Sequence, residues 1–220
     1  RNKAHSLKIL LQSLVNQNLS LGRIIVVDSG VSVKSLVHSF MSTLNIEYYQ
    51  TFPGQIHQRL FGISLLTQST PLVATIDDDI EFESNAFQHV IDLFNNQNSF
   101  IAGIGFNNLD KVSTTFNSLR SFFLQPSRFD GQVLSSGYNT SISDQISNSY
   151  VSWLGGGYTV WHLSILKQYP QEPIHTKWAI GEDVRYSYLI GMKYRLMIAH
   201  KAIFKHIEYP NREKVNLSFY

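Results

Sequence analysis

Apolar and polar positions follow two rhythms along the first hundred residues. Residues 4–17, "AHSLKILLQSLVNQ", place Leu7, Leu10, Leu11 and Leu14 at helical spacing, which predicts an amphipathic helix. "RIIVVDSG" follows as a β-branched run closing on Asp28 and Gly30. It predicts a buried parallel strand with a turn at its carboxyl end. "VKSLVHSFMSTL" then reads as helix, "IEYYQTF" as a short strand, "QIHQRLFGISLLTQ" as helix and "PLVATI" as strand. Ser84 is placed to cap a helix over "SNAFQHVIDLFNN", and "SFIAGIGF" returns to strand.

Strands alternating with helices of this length predict βαβ units, hence an α/β fold with a mostly parallel central sheet flanked by helices. Such sheets hold ligands beyond the carboxyl ends of their strands, where Asp28 and the run Asp77, Asp78, Asp79 both fall. The rhythm breaks over 107–150, a stretch rich in Ser and Asn with little periodicity. Long irregular segments inside compact domains are usually functional or disordered. After it come "VSWLGGGYTVWHLSIL", a helix predicted from Glu182, and "YRLMIAHKAIFKH", which reads as two short strands. No repeat or linker divides the chain.

Composition narrows the field. The 220 residues are 43% hydrophobic and 15% charged, which suits one globular domain with a substantial core. A net charge of +2 leaves no electrostatic footprint for nucleic acid. The absence of cysteine excludes disulfides and thiolate metal sites and fits a reducing compartment. No stretch has the length and apolarity to cross a bilayer, and no signal peptide is recognisable. The expected location is cytoplasmic, with peripheral association at the inner face of a membrane left open.

In so sparsely charged a chain, the acidic triplet raises the first chemical question. Alone, three adjacent carboxylates are a solvated turn. At the end of an apolar strand they suit a hard divalent cation, commonly shared between one or two carboxylates and substrate phosphates. Glu182 and Asp183 follow Gly181 at the start of a helix, where the macrodipole favours acidic residues in any case. The functional alternative makes Asp183 a general base. His206 and His200 each end an apolar run, and imidazole suits manganese and similar ions; position alone does not choose between them. Trp153, Trp161 and Trp178 offer flat faces for stacking on a sugar ring, though core packing is the default for each.

In order and spacing these pieces resemble the family 2 glycosyltransferases, inverting enzymes of the GT-A fold that use nucleotide sugars. "RNKAHSLKILLQSLVNQ" resembles the family's opening helix, "IIVVDSGVS" its second strand and "GQIHQRLFGISLL" its Arg-bearing helix. "VATIDDDIEF" is similar to the metal-binding Asp-x-Asp strand, "WLGGGYTVWHLSIL" to the acceptor-side glycine loop and "AIGEDVRYSYLIGMKYRL" to the Gly-Glu-Asp segment. The resemblance implies that Asp28 contacts the base and Arg59 the nucleotide end of the donor. It further implies that Asp77 and Asp78 line the ribose and phosphate region and that Gly155 and Gly156 shape the floor. Asp79 and His206 would hold Mn2+ or Mg2+, and Asp183 would be the base with Glu182 beside it. The implied partners are a nucleoside-diphosphate sugar, with UDP the expected nucleotide, and a saccharide or glycolipid acceptor, in polysaccharide or cell-envelope biosynthesis.

The sequence departs from the family pattern in three places. The family's first strand is missing ahead of Arg1, so a central part of the sheet is expected to be unfilled. Leu60 stands where an Asn usually follows the helix Arg. The Gln-x-x-Arg-Trp motif of processive synthases is not found, which favours single additions. The expected organisation is one GT-A domain, with a nucleotide-binding half over 1–106 and an acceptor-binding half over 107–220. A catalytically inactive module of the same fold and a sugar nucleotidyltransferase are the alternatives.

Overall fold

The computed structural model describes residues 3–67, 69–96, 100–110, 130–142, 145–172 and 181–207. Helix α1 (Lys3–Val15) buries the four leucines of its apolar stripe, as their spacing predicts. Strand β1 (Ile24–Asp28), helix α2 (Lys34–His38), strand β2 (Ile46–Gln50) and helix α3 (Gln55–Ser64) follow in the predicted order. Next come β3 (Leu72–Ile76), β4 (Ile80–Phe82), α4 (Ala86–Asn96) and β5 (Ile101–Asn108). The second half carries β6 (Ser149–Val151), β7 (Tyr158–His162), α5 (Leu163–Gln168), α6 (Glu182–Gly191) and β8 (Arg195–His206).

The fold is α/β with a central sheet flanked by helices, but the sheet is mixed where the alternation predicts it to be mostly parallel. Strands β1 and β2 pair in parallel, as do β5 and β8. Strands β3 with β7, β5 with β7, β4 with β8 and β6 with β8 are all antiparallel. Side-chain periodicity marks a strand without recording its direction. The order of the larger sheet is β3-β7-β5-β8-β4, with β6 also on β8, while β1 and β2 form a separate pair. Strands β1 and β3 are apolar yet only half-buried, apart from Asp28, whereas every residue of β5 is buried between two neighbours. The Val27 carbonyl accepts a hydrogen bond from the Gln58 side chain of α3 at 2.7 Å.

Three further elements differ from expectation. The three-residue β4 continues directly from the acidic triplet, and so short an edge strand has no periodicity to read. Helix α4 begins at Ala86 rather than just after Ser84, and its first turn is closed by the Asn85 carbonyl accepting the His89 N–H. Residues 195–206 form one strand, not two. Its register against β5 jumps between the Phe106–Ala199 and Asn107–Ile203 pairs, so residues 200–202 form a bulge. The buried Asn107 amide holds that bulge, donating to the His200 and Gln145 carbonyls at 2.9 and 3.0 Å.

Much of the irregular stretch, including 111–129, lies outside the described residues, as does Trp178. Trp153 and Trp161 are core residues, the default reading for each. Trp153 is buried and donates its indole N–H to the Thr140 carbonyl, and the ring of Trp161 lies on Gly103. Among the described residues no helix is long and apolar enough to cross a membrane.

Candidate active site

The carboxyl ends of β1 and β3 and the amino end of α3 meet at one rim. Asp28 closes β1 and is buried; its carboxylate accepts from the Tyr48 hydroxyl at 3.1 Å and from the Gly30 N–H at 3.0 Å. Gln58 of α3 reaches the same corner, with Ser29 donating to its amide oxygen. One turn earlier on α3, Gln55 donates to Asp77 Oδ1 at 3.2 Å. Asp77 continues from β3 and its N–H donates to the Gly157 carbonyl at 2.9 Å.

Arg59 stands at the centre of this rim. Its Nη1 meets Glu182 Oε1 at 2.7 Å and its Nη2 lies 3.3 Å from Asp77 Oδ1. Glu182 and Asp183 open α6 directly after Gly181, whose φ of 74° makes a left-handed turn open to glycine at little cost. The Asp183 carboxylate accepts from the Val184 N–H at 2.9 Å. Ser187, one turn on and buried, donates to the Asp183 carbonyl, and its hydroxyl accepts from the Leu154 N–H at 2.8 Å. This serine fastens α6 to the glycine loop. A cavity beside it is lined by Arg59, Thr75, Gly156, Trp161 and Asp183.

The glycine run is explained by what lies against it. A Cβ on Gly155 would stand 2.1 Å from Tyr158 Cζ, one on Gly156 2.5 Å from Arg59 Nη1, and one on Gly157 2.0 Å from Asp77 Oδ2. Gly157 and Tyr158 thus join the site although the motifs single out neither. Burial pushes the Tyr158 hydroxyl well above its ordinary range, and the charges of Asp183 and Asp77 push in the same direction. Its ring packs on Phe204 with centroids 4.8 Å apart.

Burial is also the main cause that raises the Glu182 carboxyl; Arg59 opposes it, while Asp183 and Asp77 add to it. Burial likewise raises Asp78, with Lys3 opposing and Asp79 and Asp77 adding. The triplet therefore divides by surroundings: Asp77 faces Arg59, Asp78 feels the charge of Lys3 at the start of α1, and the backbone of Asp79 meets the end of β8.

The backbone of Asp79 lies beside the end of β8. The Asp79 carbonyl accepts from the Ile207 N–H at 2.8 Å, and Ile80 pairs with His206 in the β4–β8 ladder. The structure separates the two histidines: His200 Nδ1 contacts Asn148 Oδ1 at 2.8 Å on the bulge. His206 Nδ1 lies 3.3 Å from the Asn108 amide and 3.4 Å from Asp110 Oδ2, and the His206 N–H also donates to Asp110. Asp110 carried no signal in the sequence. Among the described residues no group of three or more His, Asp or Glu side chains gathers as a metal cage.

The architecture is that of the GT-A glycosyltransferases. Residues 1–147, two-thirds of the chain, match the family model "Glycosyl transferase family 2", and the chain belongs to that family. Its structure is similar to S. aureus TarS 1-349, with 14% identity and a TM-score of 0.63, over 94% of this chain and 58% of that one. The same TarS chain in complex with UDP-GlcNAc matches with 15% identity and a TM-score of 0.59, over 94% and 56%. GalNAc-T7 with UDP, GalNAc and Mn2+ matches with 12% identity and a TM-score of 0.66, over 92% and 40%. At these identities the likeness is one of fold, and the chain spans a little over half the length of TarS 1-349. No curated protein matches the sequence.

Proposed function

We propose that this chain is an inverting glycosyltransferase that moves a monosaccharide from a nucleoside-diphosphate sugar, UDP-linked by expectation, to a hydroxyl of a saccharide or glycolipid acceptor. The observation that carries this reading is the convergence of Asp77, Arg59 and Glu182 over the glycine run, which brings Asp183 to the rim where the donor-side residues end. Asp28, Asp77, Asp78, Gly155 and Gly156 form the donor side; Arg59, expected from the resemblance to contact the nucleotide, is held by Asp77 and Glu182. We also read the half-exposed edges of β1 and β3 as the place of the family's first strand, in one domain whose halves are 1–106 and 107–220.

In this mechanism Asp183 receives the proton of the acceptor hydroxyl as its oxygen attacks the anomeric carbon from the face opposite the diphosphate. A sugar hydroxyl is far less acidic than a carboxylic acid, so the proton moves only as the new bond forms. Placement of Asp183 therefore matters more than its pKa. Asp79 and His206 would hold Mn2+ or Mg2+, with Asp110 orienting the imidazole through Nδ1. Such an ion, when bound, neutralises the diphosphate and makes it a better leaving group.

Thermal denaturation with Mn2+, UDP and both together tests the donor site. The pair is expected to stabilise by more than the sum of its parts, because each would raise the affinity of the folded chain for the other. Absence of any shift from nucleoside diphosphates with Mn2+ or Mg2+ overturns the reading.

A further inference from the structure

The Arg59–Glu182 ion pair is nearly buried, with side-chain exposures of 14% and 5%. Burying two ions strips their hydration, and replacing such a pair by packed apolar groups is often neutral or stabilising. The cost is higher here, because Glu182 Oε2 is buried with no hydrogen-bond partner among the described residues. Stability alone is a poor account of this pair. Geometry gives a better one. The guanidinium is a rigid planar fork, with one arm on Glu182 at 2.7 Å and the other reaching Asp77 at 3.3 Å. Gln55 steadies the same Asp77 oxygen, and Gly156 lets the fork lie against the backbone. Glu182 directly precedes Asp183 in the first turn of α6.

We propose that Arg59 is a positioning residue: its fork ties the end of β3 to the start of α6 and so sets the spacing between donor-side Asp77 and the base Asp183. This rests on the transferase reading above. A lysine at this position keeps the charge but lacks the rigid planar fork that spans Glu182 and Asp77 in a fixed geometry. Alanine at 182 removes the other end of the tie, whereas glutamine keeps an amide oxygen for Nη1.

The test compares Arg59→Lys, Glu182→Ala and Glu182→Gln in the full chain. The readouts are UDP affinity with Mn2+, hydrogen exchange over the first turn of α6, and kcat and KM for UDP-sugar consumption. Arg59→Lys and Glu182→Ala are expected to keep UDP–Mn2+ affinity and KM within about threefold, while kcat falls about 10–100-fold and exchange quickens about tenfold. Glu182→Gln is expected to recover most of both losses. An Arg59→Lys protein whose UDP affinity falls as far as its kcat makes Arg59 a donor ligand and overturns the proposal. Unchanged exchange in α6 overturns it too, as does a Glu182→Gln protein no better than Glu182→Ala. Should Arg59→Lys fail to fold, the two Glu182 variants decide the matter. A wild-type protein that consumes no nucleotide sugar sinks the transferase reading instead, and the exchange measurement still shows whether Arg59 holds α6.

Discussion

The carboxylate of Asp77 fills the space where a side chain at Gly157 would begin, with Oδ2 2.0 Å from the position of its Cβ. Gly156 stands in the same relation to Arg59, and Gly155 to Tyr158. Three consecutive glycines each leave room for a different side chain of the site.

Alanine at 155, 156 or 157 is therefore expected to displace its neighbour, at about 1–3 kcal/mol for overpacking, and Gly157→Ala, which displaces Asp77, also to weaken UDP–Mn2+ binding. Gly22→Ala is the control, since nothing lies within 4 Å of a Cβ there. Urea denaturation and UDP titration of the four variants check this. A Gly157→Ala protein equal to Gly22→Ala in both would remove the glycine run from the site.

Glu182 gives stability a predictable dependence on pH. Its carboxyl is raised by burial, against the pull of Arg59 and with Asp183 and Asp77 adding repulsion. The folded state then holds the proton more tightly than the unfolded chain. The contribution to stability is full below the ordinary value of 4.5 and is lost as pH rises through the raised value. Relative to Glu182→Gln, the wild type should lose stability across that window. Denaturant unfolding of both proteins from acid to neutral pH measures it, and a constant difference contradicts the assignment.

The pair Asp79 and His206 predicts how the nucleotide depends on the metal. His206→Ala should abolish the Mn2+-dependent part of UDP binding. Asp110→Ala should weaken it by about 10–100-fold, as loss of a residue that orients a metal-bound imidazole does. Calorimetric titration of UDP with and without Mn2+ separates these cases. Full Mn2+ dependence in His206→Ala would move the ion elsewhere.

Local periodicity explains which parts of the molecule were legible. The leucine stripe of α1, the β-branched run of β1 and the Gly181 break before α6 stand in the structure as the sequence predicts. Strand direction was not legible, because alternation is the same either way along a strand. The β8 bulge broke its alternation at 200–202, so one strand read as two. The motifs marked Asp77, Arg59, Glu182 and Asp183 singly, but no pattern links Arg59 to a partner 123 residues away. Tyr158 had a faint signal beside the glycines; Asp110 had none, since its role depends on β5 meeting β8.

Substitution of Asp183 by Asn tests the central claim most directly, because the amide keeps the shape of the side chain but not its ability to take a proton. The account predicts that Asp183→Asn retains wild-type stabilisation by UDP with Mn2+ while sugar transfer falls about 100–10,000-fold. Sugar transfer at the wild-type rate from Asp183→Asn would contradict it.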